Sequence, residues 1–249
     1  MKNEFLYRLF YLRSNFRAAA RMEISRNQVN YQRELEKELD KAVRSAEEGR
    51  KTPALFLHSC CAPCSSYVLE YLCRYFKITL FYYNPNISSS QEYRKRVEEQ
   101  KRLIAAYNEE GKGFKIEIIE GDHAPETFFE IARGLEDCPE GGERCFRCFA
   151  LRLRETARLA KQGGFDYFAT TLTISPLKNA QKINEIGQGL SAEYGVPWLP
   201  SDFKKKDGFK RSIELSAEYG LYRQDYCGCA YSKAQSQGSV AGEIDLCAF

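Results

Sequence analysis

Three compact groups of cysteines carry most of the chemistry this sequence can offer. The first is His58-Ser59-Cys60-Cys61-Ala62-Pro63-Cys64; the second is Cys145-Phe146-Arg147-Cys148, preceded by Cys138 and Pro139-Glu140-Gly141-Gly142; the third is Cys227-Gly228-Cys229. A thiolate is both a soft metal ligand and a nucleophilic reductant, so such groups point to metal binding or redox chemistry. A CxxC opening a helix lets both sulfurs reach one metal or one cluster edge. A single intervening glycine is tight for two ligands of one ion and suits a strained, readily reduced dithiol/disulfide pair. Only His58 and His123 offer imidazoles, and thiolate-rich, histidine-poor sets favour zinc or an iron–sulfur cluster. Structural zinc staples short contiguous modules, whereas these pairs are split by the long gap from Cys60 to Cys145, which favours the cluster. Cys73 reads as a buried thiol and Cys247 as a tail thiol, while Cys138 has no assigned role.

The chain must fold so that these groups converge, and its patterning shows how. Ala54–His58, Ile78–Tyr83, Phe114–Ile119, Phe165–Thr170 and Val196–Leu199 are short apolar or β-rich runs. Between them lie helix-forming stretches at 61–75, 90–108, around 127–133, 148–161 and 179–194. This alternation requires a parallel sheet with crossover helices, the α/β class. Cys60 to Cys64 then occupy the turn from the first strand into the first helix, where open sheets place catalytic groups, with Pro63 near the helix start. The free N–H groups and dipole of that helix end stabilise thiolate or an anionic cluster. Residues 1–50 read as an N-terminal basic and helical arm, with a helix over 30–48, and residues 51–249 as the α/β catalytic domain.

Composition bounds the rest. The 249 residues carry 37 Lys and Arg against 34 Asp and Glu, are 43% hydrophobic and include ten cysteines. That apolar share supports a core and excludes global disorder. No run approaches the roughly 20 apolar residues of a membrane span, and no uninterrupted signal-type apolar core is evident. Cytoplasmic residence is expected, and there the cysteines serve metal or redox roles rather than a disulfide framework.

The strand–loop–helix order resembles the nucleotide-binding HUP or PP-loop architecture. Its Ser-Gly-Gly-x-Asp-Ser phosphate loop is replaced here by Ser59-Cys60-Cys61-Ala62-Pro63-Cys64, whose Cβ atoms and ring stand where a phosphate needs bare N–H groups. ATP binding is disfavoured. A more specific resemblance rests on several motifs in order: Leu57–Ser65, Tyr83–Ile87, Glu140–Cys148, Thr170–Asn179, Asp202–Lys206 and Tyr226–Cys229. Over about residues 28–235 the chain resembles the QueH-type epoxyqueuosine reductases. That resemblance implies a HUP-like sheet of order 3-2-1-4-5. It also implies reduction of epoxyqueuosine in tRNA to queuosine, the last step of queuosine biosynthesis, and a [4Fe-4S] cluster. Carried over by position, it makes Cys60, Cys61, Cys145 and Cys148 the cluster ligands and Cys227 with Cys229 the redox-active disulfide.

Other roles stay open at this level. Cys64 either holds an additional iron ion, takes part in epoxide reduction, or is a neighbouring thiol. Asp122 is a candidate catalytic residue, one of five possible proton donors with His123, His58, Tyr83 and Asp225 that the sequence does not rank. Arg144, Arg147 and Arg223 flank cysteines, and Tyr82, Tyr83, Tyr222 and Tyr226 are candidates for base stacking. Lys204, Lys205, Lys206, Lys210 and Arg211 form the candidate contact with the phosphates of the tRNA partner. An electron donor of unidentified nature is required, and no membrane partner is expected. The competing readings are a cluster-dependent, tRNA-thiolating PP-loop-type enzyme and a zinc-stapled RNA-binding protein.

Overall fold

Strand β1 (Ala54–Ser59) is buried along almost its whole length, as an uncharged run of Leu, Phe and Leu requires. In the computed structural model, which describes residues 29–236, this strand is central in a four-stranded parallel sheet. It pairs with β2 (Lys77–Tyr82) on one side and β4 (Tyr167–Thr170) on the other, and β3 (Glu117–Glu120) borders β2. The order is β3-β2-β1-β4, the first four positions of the expected arrangement. At the fifth position a single parallel bridge joins Phe168 to Trp198 instead of a strand. The run there is flanked by Pro197 and Pro200, which have no N–H to extend a ladder.

The pleat of β1 divides the core into two. Leu55 and Leu57 face a cluster shared with α1 (Tyr31–Glu47), α2 (Ala62–Leu72) and α3 (Ser90–Glu109), through Leu35, Leu39, Val68, Leu72, Tyr93 and Val97. Phe56 faces α5 (Glu143–Gln162) and α6 (Ala180–Tyr194), through Phe149, Leu153, Ile183 and Leu190. A period of two in the strand thus becomes two helical layers. Three further α-helices, α4 (Pro125–Ala132), α7 (Gly208–Glu218) and α8 (Ala230–Ser236), and a single 3-10 turn at Thr171–Ile174 complete the elements of the described residues.

Two boundaries differ from expectation for local reasons. Residues 114–116 are not in β3, because the backbone of Ile116 is bound on both sides by the Asn108 amide, at 2.8 and 2.9 Å, and the Phe114 N–H goes to the Cys73 carbonyl at 2.8 Å. Helix α5 begins at Glu143 rather than near Cys148, so Cys145 and Cys148 both lie on it, about one turn apart. The basic arm up to residue 22 and Cys247 lie outside the described residues.

Candidate active site

Strand β1 ends at Ser59, and the chain turns through Cys60 and Cys61 into α2. Cys61 is the N-cap in extended geometry and makes no side-chain cap, which leaves its thiol free for its neighbours; Pro stands in the first turn. The sulfurs of Cys60, Cys61 and Cys64 all lie within 4.8 Å of one another, with Cys60 and Cys61 at 3.9 Å. Thr171 Oγ1, from the turn after β4, is 3.6 Å from Cys60 Sγ and accepts its backbone N–H. Charge is unequal within this trio. Hydrogen bonds from the Cys61 and Cys64 thiols hold the Cys60 thiol well below its usual pKa. The same bonds push Cys61 up to about 12 and Cys64 well above the thiol range. Negative charge in this trio thus favours Cys60 over Cys61 and Cys64.

A second thiol group forms between α5 and the segment before α8. Gly141 N–H donates to Cys145 Sγ at 3.3 Å. Burial raises Cys145, pushes Cys148 up to about 11, and raises Cys229. Cys145, Cys148, Cys227 and Cys229 line a cavity of about 20 Å³ together with Arg144 and Glu140. The segment carrying Cys227 and Cys229 is held by its carbonyls. Asn86 Nδ2 and Arg96 Nη1 each donate to Cys227 O at 3.4 Å, and Ser88 N–H donates to Gly228 O at 3.3 Å. A larger cavity of about 190 Å³ opens beside it, lined by Cys60, Cys61, Cys64, Cys227, Lys178 and Arg96 among others.

Buried cations surround both thiol groups. Arg96, Arg144 and Arg152 are at most 2% exposed. Arg152 donates Nη1 to Cys148 Sγ at 3.9 Å, Nε to His58 Nε2 at 3.2 Å and Nη2 to Asn84 Oδ1. His58 Nε2 also lies 3.1 Å from Tyr83 O, and its Nδ1 lies 2.8 Å from Thr170 Oγ1, so both ring nitrogens are held. Burial, with Arg152 adding to it, lowers the His58 pKa to about 3, so the ring is a neutral brace for the guanidinium. Arg96 leaves Nη2, and Arg144 leaves Nε and Nη2, buried without a hydrogen-bond partner. Burial opposes the charge of Lys178, yet Cys227, Cys60, Cys64 and Cys61 together hold its pKa above the ordinary lysine value. A set of buried donors that outnumbers its acceptors suits an anionic occupant.

The structure thus brings the three sequence-identified cysteine groups to one end of the sheet. Cys138 stands behind the second group, its sulfur 2.6 Å from where a Cβ on Gly142 would lie. Asp225 and Tyr226 line the larger cavity, whereas Asp122 lines neither cavity. His123 Nε2 is 2.8 Å from Ile87 O, and its ring stacks on Tyr93. Tyr82 is fully buried and so unavailable to a base. In the basic segment, Lys204 pairs with Asp202, Lys206 with Glu36, and Arg211 with Glu70 and Glu214. Lys205 and Lys210 have no ion pair among the described residues. Sequence reasoning did not single out Arg96, Arg152, Thr171, Lys178 or Ser232. Thr171 and Lys178 lie within the Thr170–Asn179 motif, but Arg96 and Arg152 sit in helical stretches where nothing in the sequence marks one arginine among several.

With this geometry in hand, comparison with known proteins is specific. The family model described as "Epoxyqueuosine reductase QueH" matches residues 55–235. Proteins of that name from Streptococcus pyogenes and Staphylococcus epidermidis are 42% and 41% identical to this chain. The matches cover 84% and 87% of this chain and 80% and 89% of theirs. The Thermotoga maritima protein of the same name is 34% identical over 72% of this chain and 89% of its own.

Proposed function

The chain belongs to the QueH epoxyqueuosine reductase family, an oxidoreductase family, and from that premise we propose that it reduces the epoxide of epoxyqueuosine in tRNA to the alkene of queuosine. The observation that carries this reading is the convergence of two thiol groups, ringed by buried cations, on two adjoining cavities that share Cys227 and Glu140. The donor set also fits an iron–sulfur cluster. Carried over by position from the family, Cys60 and Cys61 from the first turn and Cys145 and Cys148 from α5 would hold a [4Fe-4S] group; in support, Cys60 and Cys61 stand with Cys64 in a sulfur trio within 4.8 Å, and the partnerless nitrogens of Arg96 and Arg144 suit a negative charge. Such a group, when bound, supplies electron transfer and a Lewis-acidic iron.

The remaining work falls to the chain's own residues. Removing an epoxide oxygen breaks two C–O bonds, forms one C=C bond and releases water, consuming two electrons and two protons. Oxidation of the Cys227/Cys229 dithiol to a disulfide supplies two of each, so the reaction balances, and an external reductant resets the pair. Lys178 offers a hydrogen-bond donor toward an oxygen in the cavity. Cys64 borders the same cavity as a thiol donor to Cys60. Lys205 and Lys210, without an ion pair among the described residues, are the cations offered to tRNA phosphates.

The test is anaerobic purification followed by assay on epoxyqueuosine-containing tRNA with a chemical reductant, reading nucleosides by mass spectrometry and iron and sulfide by analysis. Wild type is expected to form queuosine and to contain both elements. Cys227→Ser and Cys229→Ser are expected to retain the cluster absorbance and lose multiple turnover. A colourless, zinc-loaded wild type would overturn the cluster assignment, and sustained turnover in either serine variant would remove the dithiol role.

A further inference from the structure

Two protons must travel with the two electrons, and the fold marks a carrier for them. Cys227 and Glu140 are the two residues that line both cavities, so they stand together at the junction of the thiol groups. They are tied through one side chain. Ser232, 2% exposed, accepts the Cys227 backbone N–H at Oγ at 3.0 Å and donates its hydroxyl to Glu140 Oε2 at 3.0 Å. Its own backbone N–H donates to Cys229 Sγ at 3.3 Å. One serine thus fixes both cysteines of the pair and one carboxylate. Cys229 is buried, whereas Glu140 is exposed at its outer side. The carboxylate therefore links the interior dithiol to solvent.

We propose that Glu140, positioned by Ser232, is the proton carrier of the Cys227/Cys229 pair. This rests on the reading of that pair as the reductant. In the step assigned to it, the Cys227 S–H bond breaks and the proton passes to the Glu140 carboxylate, leaving a thiolate. Disulfide formation then yields two electrons, and the second thiol proton leaves by the same carboxylate. Both protons end in the water formed from the epoxide oxygen. No further oxidant or reductant enters. The charged and titratable groups that share the two cavities with Glu140 are Arg144, Cys145 and Cys148 of α5, Arg223, Asp225, Tyr226, Cys227 and Cys229 of the cysteine-bearing segment, Arg96 of α3, Lys178, and Cys60, Cys61 and Cys64 at the start of α2.

The decisive variants are Glu140→Gln, which keeps an acceptor for the Ser232 hydroxyl but carries no proton, and Ser232→Ala, which keeps the carboxylate but removes the tie. Each full-length, cluster-loaded variant is assayed for turnover. In parallel, oxidation of the reduced pair by an added small disulfide is followed by alkylation and mass spectrometry, without tRNA. Glu140→Gln is expected to lose about a hundredfold in turnover, the lower end for general acid–base groups, and to slow disulfide formation. Glu140→Asp restores part of the rate, and Ser232→Ala loses less than Glu140→Gln. Overturning results are turnover in Glu140→Gln within twofold of wild type, or equal losses in Glu140→Gln and Ser232→Ala with no recovery in Glu140→Asp. A wild type that fails to convert tRNA fails the proposed function, whereas the disulfide assay still judges the carrier.

Discussion

Gly228 shows how one residue sets the position of the reducing pair. Its φ of +114° is one that side-chain-bearing residues rarely adopt, and an added Cβ would lie 2.8 Å from Ile87 Cγ1 and 3.1 Å from Arg96 Nη1. Gly228→Ala must therefore shift the segment or strain it, at a cost of about 1–3 kcal/mol. The expected result is faster amide exchange over residues 225–232 and loss of turnover, with the exchange of β1 and β2 unchanged. Wild-type exchange across 225–232 would contradict that placement. The Cys227-Gly228-Cys229 spacing was legible because a tight dithiol is a chemical statement made by sequence alone. The counter-charges were legible only in part. Arg144 and Arg147 both flank cysteines in sequence, yet Arg144 is buried over the Tyr231 ring and Arg147 is half exposed beside Glu143. Adjacency along the chain does not say which face of α5 turns inward. Arg152 becomes intelligible only beside His58 and Asn84, which come from two other places in the chain, and Cys148, one turn earlier on its own helix.

At the scale of elements, the β-rich runs were legible because apolar strands buried on both faces leave a continuous signature. Helix α7 left none. Its buried positions are Gly208, Ser212, Leu215 and Ser216, while Ile213 is 44% exposed, so hydrophobic periodicity does not register it. What replaces apolar bulk is closeness: a Cβ on Gly208 would lie 2.0 Å from Phe203 O, and Arg211 makes two bonds to Glu70 of α2. The same device joins α6 to the sheet edge. Gly187 leaves the space that the Trp198 indole fills, and an added Cβ there would lie 2.3 Å from two ring atoms. The indole is not free to yield, because its N–H is bound by Asn184 Oδ1 at 3.0 Å, and that same oxygen accepts the Ser201 N–H. Gly187→Ala is accordingly expected to overpack this edge and lower stability by about 1–3 kcal/mol, read as a lower urea midpoint with an unchanged slope. A midpoint equal to wild type would mean that the ring has an alternative seat.

For the molecule as a whole, net charge is a weak guide to RNA binding, because +3 is the small difference between 37 cations and 34 anions. Which cations remain unpaired matters more. The Lys204–Arg211 segment reads in sequence as one basic patch, but Lys204, Lys206 and Arg211 spend their charge on Asp202, Glu36 and Glu70. Phosphate contacts release counterions, and each lost contact flattens the dependence of log K on log salt by about 0.7 to 0.9. Replacing Lys205 and Lys210 with Gln is thus expected to reduce that slope by about 1.5 in total and to weaken tRNA binding between 50 and 200 mM salt (about the range over which such contacts are read). Lys204→Gln is expected to leave the slope unaltered, since its ammonium already has a carboxylate partner. The comparison is made by binding titrations on the same tRNA for all variants. An equal effect of Lys204→Gln and the double variant would return the segment to a patch acting by total charge, and an unchanged slope in the double variant would move the phosphate contacts elsewhere on the surface.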